Sequence, residues 1–246
     1  MMNKISVVII AKNEEHNIQR CIESAVFADE IIVYDSGSVD QTVVIARKLG
    51  AKAFTGEWMG FGPTKRHATE LASHDWILSI DADEEVSSEL QAEILKRRET
   101  LIPEVGYRIP RLSNYLGRWI RHGGWYPDYQ LRLFNRKQSG WSSDLIHEKV
   151  KSKSVDTFSS QLNHYVFNSI DHQVQTNNRY SSLQATEMFK QGKKFSWFHF
   201  ITKPYVKFLE CYFLKRGFLD GWVGYLIARN AAYSVFLKWA KLKELS

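Results

Sequence analysis

The sequence predicts an α/β fold, a mainly parallel sheet with flanking helices, followed by amphipathic helices to the end of the chain. Three observations carry this expectation. Apolar, β-branched runs alternate with segments of helical spacing through the first hundred residues, the order that strand–helix–strand units impose. Several of those runs are continuous rather than alternating, as strands covered on both faces are. From residue 169 onward the spacing turns helical and stays so.

The elements follow in order. ISVVIIA (5–11) reads as a first buried strand, and NEEHNIQRCIESA (13–25) as a helix with Ile18, Cys21, Ile22 and Ala25 on one face. EIIVYDS (30–36) is a second strand. SVDQTVVIARKLG (38–50) is a helix with Ser38 as its N-cap and Gly50 as its stop. AKAFT (51–55) is a short third strand, PTKRHATELA (63–72) a helix opened by Pro63, and DWILSIDA (75–82) a fourth strand. SSELQAEILKRRETL (87–101) is an N-capped helix. Beyond Pro103 the runs 105–120 and 129–136 show polar alternation, so mixed or antiparallel strands extend the parallel core. The helical tail breaks at KQGKK and again near KRGFLDG. The expected division is a domain over 1–168 and a helical, basic, aromatic extension over 169–246.

Composition narrows the class. With 44% hydrophobic residues in 246, the chain is too apolar for disorder and long enough to bury a core. The net charge is +6, yet residues 187–246 hold eleven Lys and Arg against four acids, so the tail accounts for the whole excess. Cys21 and Cys211 form neither a CxxC pair nor a metal cluster, and Cys21 reads as a small core residue. The apolar run at 5–11 is short and followed by KNEE, unlike a secretory signal, so the expected compartment is the cytoplasm.

In open parallel sheets, ligands lie beyond the carboxyl ends of the strands. Those ends are Lys12-Asn13-Glu14, Asp35-Ser36-Gly37-Ser38 and Asp81-Ala82-Asp83. In extended backbone Asp81 and Asp83 point the same way. Two adjacent carboxylates repel unless one is protonated or a cation lies between them, and oxygen ligands suit Mg²⁺ or Mn²⁺. Glu84 and Glu85 read as solvated acids near the positive end of the next helix. The bland reading of all four is an acidic turn, and DSGSVDQT reads equally as a glycine turn into a helix, which leaves Asp35 unexplained.

VVIIAKNEEHNI, EIIVYDSGSVDQTVVIA and GPTKRHATELASHDWILSIDADEEV, in that order and spacing, resemble family 2 glycosyltransferases of the GT-A fold, the Rossmann-like nucleotide-diphospho-sugar transferase architecture. GGWYPDYQLRLFNR, IHEKV and the basic aromatic tail are similar to bacterial lipopolysaccharide core glycosyltransferases, in particular the β-1,4-glucosyltransferase group acting on inner-core heptose. The resemblance implies a metal-dependent, inverting transfer from a UDP-sugar, with glucose the expected sugar. It implies a base-reading acid at Asp35, nucleotide contacts from Lys12, Asn13 and Glu14, and a base- or phosphate-facing helix start at Lys65 and Arg66. It places the metal at Asp81 and Asp83, with Asp83 the direct ligand. The acceptor's proton would go to Asp128 or, as the alternative base, Glu148, beside which His147 is a further candidate. Arg132 would face the diphosphate or solvent. Processive members carry QxxRW, whereas Gln130 and Arg132 here stand in QLRLF with Leu133 in the arginine's place, which implies transfer of single sugars.

Aromatics in the tail coincide with Lys203, Lys207, Lys215, Arg216, Arg229 and Lys238, without the roughly 20 apolar residues of a spanning helix. Such helices suit a membrane surface, and the expected acceptor is a lipid-anchored saccharide at the inner face of the cytoplasmic membrane. The alternative is a helical cap with an ordinary solvated basic face. No nucleic-acid motif accompanies the charge. Two rival functions remain open: a Mg²⁺-dependent phosphotransferase, disfavoured by Lys12-Asn13 where its nucleophilic acid would stand, and a non-catalytic membrane adaptor, disfavoured by the intact DxD.

Overall fold

The computed structural model describes residues 2–142, 149–167 and 169–246. Contacts divide the chain into two units: residues 1–111 with 128–164, and residues 112–127 with 165–246. His164 ends the first unit, and residues 112–127, the stretch before Asp128, group with the C-terminal helices.

The first unit begins with β1 (Ile5–Ala11), α1 (Ile18–Ser24), β2 (Glu30–Asp35), α2 (Thr42–Lys48), β3 (Lys52–Thr55), α3 (Phe61–Glu70) and β4 (Trp76–Asp81). β5 (Glu84–Val86) and α4 (Ser88–Arg97) follow, then β6 (Val105–Tyr115), which passes out of the unit after Arg111 into β7 (Arg118–Ile120). The chain returns in β8 (Asp128–Asn135), β9 (Gly140–Trp141), β10 (Val150–Lys151), β11 (Ser154–Thr157) and the start of β12 (Leu162–Phe167). The strand order β3-β2-β1-β4-β8-β6 joins four parallel strands to antiparallel β8 and β6.

β1 is buried on both faces, as its β-branched run requires. Ile5, Val7, Ile9 and Ala11 pack with Ile18, Cys21 and Ile22 of α1 and with Leu90 and Ile94 of α4. Val8 and Ile10 point the other way, toward Ala68 of α3 and its neighbour Ala72. β4 obeys the same alternation: Trp76, Leu78 and Ile80 join the first cluster and Ile77 the second. Asp81 therefore falls on the α3 side. Ser87 caps α4 by accepting from Leu90 N at 3.2 Å, as expected.

α1 and α2 start later than their hydrophobic spacing suggests, at Ile18 and Thr42. The residues before them close two loops on each other instead. Asn13, in the left-handed region at φ 56°, accepts from Val39 N at 2.9 Å, and its own N–H donates to Ser38 Oγ at 2.7 Å. Glu14 N donates to Thr42 Oγ1 at 2.8 Å. Ser38 is thus not a helix cap.

The second unit holds the end of β6, which forms a hairpin with β7, the end of β12, and the helices α5 (Ile170–Lys190), α6 (Trp197–Leu209) and α7 (Gly221–Glu244). Tyr115, Ile120, Val223 and Ile227 form its core. The two expected breaks fall between these helices. Among the described residues no helix is long and apolar enough to cross a membrane.

Candidate functional site

Strand order reverses between β2-β1 and β4, and ligands of open α/β sheets bind at such a point. Register brings the three polar strand ends to one edge there: Ala11 lies opposite Asp35, and Ile10 opposite Asp81.

Asp81 does not stand beside Asp83. The chain turns at Ala82-Asp83 rather than continuing extended, so the expected shared face is absent. Asp81 Oδ1 meets Lys65 Nζ at 2.9 Å and Oδ2 meets Arg132 Nη2 at 2.7 Å. Burial acts to raise its pKa, but Arg132 and Lys65 outweigh this and hold the carboxyl well below the usual range. Lys65 also sits over the Trp141 ring, 5.1 Å from its centroid.

The ion pairs continue as an alternating chain. Glu84 Oε1 accepts from Arg132 Nη2 at 2.6 Å and Arg111 Nη1 at 3.1 Å, while Oε2 accepts from Asp81 N at 2.9 Å. Glu84 is wholly buried, not solvated as its sequence position suggests. Arg111 then grips Asp128 Oδ2 through Nε at 2.9 Å and Nη2 at 2.6 Å, and Gln130 Nε2 donates to Oδ1 at 2.8 Å. Alternation along β8 places Asp128, Gln130 and Arg132 on one face. Arg132 is buried rather than solvent-facing and is spent on carboxylates. Asp128 keeps 36% of its side chain exposed.

Asp83 is 30% exposed, and its Oδ2 lies 3.2 Å from His164 Nε2 at the start of β12. His164 Nδ1 is buried without a hydrogen-bond partner among the described residues. Glu14 shares this neighbourhood. Burial, with the charges of Asp83, Asp40 and Asp81, pushes its pKa up to about 7 against the opposing hydrogen bond from Asn17.

The other expected residues divide by use. Lys12 is exposed. Asp35 is buried and caps its own turn, accepting from Gly37 N at 3.0 Å, Ser38 N at 2.8 Å and the Ser38 hydroxyl. This accounts for the acid that the glycine turn left unexplained. Arg66 donates to the carbonyls of Trp141 and Ser142 at 3.3 and 2.9 Å, a clamp on β9. Glu148 and His147 lie outside the described residues. Arg111 and His164 were not singled out by sequence, and Glu84 and Gln130 were read there without a part in this ion chain. A third acid in IDADEE and polar residues at alternate positions of β6 and β8 were the available signals.

No group of three or more His, Cys, Asp or Glu arranged to hold a metal ion occurs among the described residues. Asp83 and His164 nonetheless fit a divalent cation that takes its remaining ligands from phosphate and water, the carboxylate being the ligand type that suits Mg²⁺ or Mn²⁺. A cation there would also relieve the repulsion between Asp83 and Glu14.

The model of the family described as glycosyl transferase family 2 matches residues 6–154. An uncharacterised glycosyltransferase of Rickettsia typhi is 39% identical across 100% of this chain and 88% of its own length. The lipopolysaccharide core biosynthesis glycosyltransferase LpsC of Rhizobium meliloti is 28% identical, covering 98% of this chain and 92% of that protein. Among solved structures, glucosyl-3-phosphoglycerate synthase from Mycobacterium tuberculosis is 26% identical over 46% of this chain and 44% of its own, with a TM-score of 0.38.

Proposed function

The chain belongs to glycosyl transferase family 2, and from that premise we propose that it transfers a single sugar from a UDP-sugar to a lipid-anchored saccharide, with inversion and with the help of Mg²⁺ or Mn²⁺. The observation that carries this reading is the different pairing of the two DxD acids: Asp81 is neutralised by Lys65 and Arg132, while Asp83 has the imidazole of His164 beside it. Asp83 and His164 would hold the cation. When bound, it supplies charge neutralisation for a diphosphate leaving group.

The protein's own groups supply the rest. Lys12 is exposed at the carboxyl end of β1, where a diphosphate would lie. Asn13 and Asp35 act on the nucleotide by fixing the two loops around it. Asp128, oriented by Arg111 and Gln130, takes the proton of the acceptor hydroxyl. That oxygen forms the new bond to the anomeric carbon as the carbon–oxygen bond to UDP breaks, and UDP carries off the electron pair. Glu148 remains the alternative base.

The LpsC likeness and the basic, aromatic C-terminal unit support the acceptor class. The lipopolysaccharide inner core is the acceptor and glucose the sugar on this reading, with the enzyme peripheral on the inner face of the cytoplasmic membrane. The test is a panel of UDP-sugars with Mn²⁺ and isolated lipopolysaccharide core, read by product mass. A hexose added from UDP-glucose alone is expected; no mass gain with any donor on this core overturns the acceptor assignment.

A further inference from the structure

The C-terminal helices enclose a cleft of about 570 Å³ between the end of α5, one side of α6 and α7. Five lysines line it: Lys193, Lys194, Lys203, Lys207 and Lys238. Glu210, also in the lining, is already paired to Lys207 at 3.1 Å and Lys215 at 2.6 Å. Among the described residues, Lys193, Lys194, Lys203 and Lys238 have no acidic partner within 4 Å. Burial and the charges of Lys193, Lys207 and Lys203 lower the pKa of Lys238, so the cluster is under mutual repulsion that an anion would relieve. The cleft also has an apolar side. Trp239 tilts against His199 with centroids 5.0 Å apart, and Met188, Val206 and Val235 complete it.

α6 carries a second arc beside this basic one. Trp197, Ile201, Tyr205 and Leu209 recur every fourth residue, and 65%, 56%, 70% and 51% of each is exposed. A contiguous exposed apolar patch of this kind marks an interaction surface. An apolar arc bordering a lysine arc matches the interface of a bilayer, where the arc enters the acyl boundary and lysines meet phosphate.

We infer that this lysine cleft binds the phosphate of an anionic lipid headgroup while the exposed arc of α6 rests in the membrane interface. The inference rests on the membrane-acceptor reading above and adds a defined headgroup site to it. The phosphate enters among Lys193, Lys203 and Lys238, and Val206 stands where the two arcs meet.

The test uses the full chain and vesicle flotation. One variant carries Lys193→Gln, Lys203→Gln and Lys238→Gln. A control carries Lys4→Gln, Lys48→Gln and Lys96→Gln, three exposed lysines of the first unit, and loses the same charge. Wild type and control are expected on phosphatidylcholine vesicles containing phosphatidylglycerol and not on phosphatidylcholine alone, with the cleft variant at least about tenfold weaker. Equal loss in both variants overturns the site and leaves only bulk charge. Binding of wild type to pure phosphatidylcholine, or to neither vesicle, overturns it as well. Duplex DNA bound as tightly as the vesicles, and lost in the cleft variant, assigns the cleft to nucleic acid instead. Competition by millimolar inorganic phosphate at constant ionic strength assigns it to a soluble phosphate. Melting temperature confirms that both variants fold. UDP binding with Mn²⁺, measured on the same samples, separates the two readings: its retention with loss of flotation concerns the cleft alone, and its absence in wild type concerns the donor site.

Discussion

Arg132 Nη2 lies 2.7 Å from Asp81 Oδ2 and binds the carboxylate whose sequence spacing offers it to a cation. The same nitrogen reaches Glu84 Oε1 at 2.6 Å, so one guanidinium ties the end of β4 to the buried acid beyond it. Through Arg111 this tie extends to Asp128. The proposed base is therefore tied by one ion chain to the end of β4, two residues before Asp83, within a single unit.

Arg132→Ala should destabilise the protein by about 3–5 kcal/mol, because it strips a cation from Glu84, which has no access to water. Arg132→Lys keeps the charge without the planar fork and should recover part of that loss. Urea unfolding midpoints measure both. An alanine variant as stable as wild type would show that the chain contributes nothing to the fold.

Asp128→Asn should lower kcat by roughly 10²–10⁴ while donor binding stays unchanged, the pattern of a lost proton acceptor. Glu148→Gln serves as the comparison. If only the Glu148 variant behaves this way in single-turnover transfer, the base is Glu148.

Glu14 titrates near 7 in the folded protein against an ordinary value of 4.5. A carboxyl raised in this way contributes stability that is fully present below about pH 4.5 and is lost as pH rises through about 7. Wild type should therefore lose stability across that window. Glu14→Gln should flatten the profile and be the more stable protein at pH 8, by roughly 1–3 kcal/mol. Denaturant midpoints taken from pH 5 to 8 measure it, and parallel profiles for the two proteins would contradict the shift.

Much of the sheet was legible because its strands are apolar on both faces. β1, β2 and β4 could be placed from the apolar runs at 5–11, 30–36 and 75–82, each end within one residue of the observed strand, and the late antiparallel strands by their polar alternation. The loop residues were harder. Ser38 has the chemistry of a helix cap, yet Asp35 and Asn13 claim its hydroxyl. Sequence spacing also cannot show that the chain turns at Ala82, which sends Asp81 toward α3 and Asp83 toward β12. Arg111 and His164 joined the site through pairings 27 and 81 residues distant in sequence, and no local pattern encodes those.

The central claim is that Asp83, not the ion-paired Asp81, supplies the carboxylate for a cation that brings UDP to this edge of the sheet. Calorimetric titration of UDP into wild type and Asp83→Asn, each with Mn²⁺ and with EDTA, tests it most directly. Wild type should bind only with Mn²⁺, and the variant should fold at an unchanged melting temperature yet bind at least about tenfold more weakly. Equal binding by the two proteins, or equal binding by wild type in EDTA, would contradict the account.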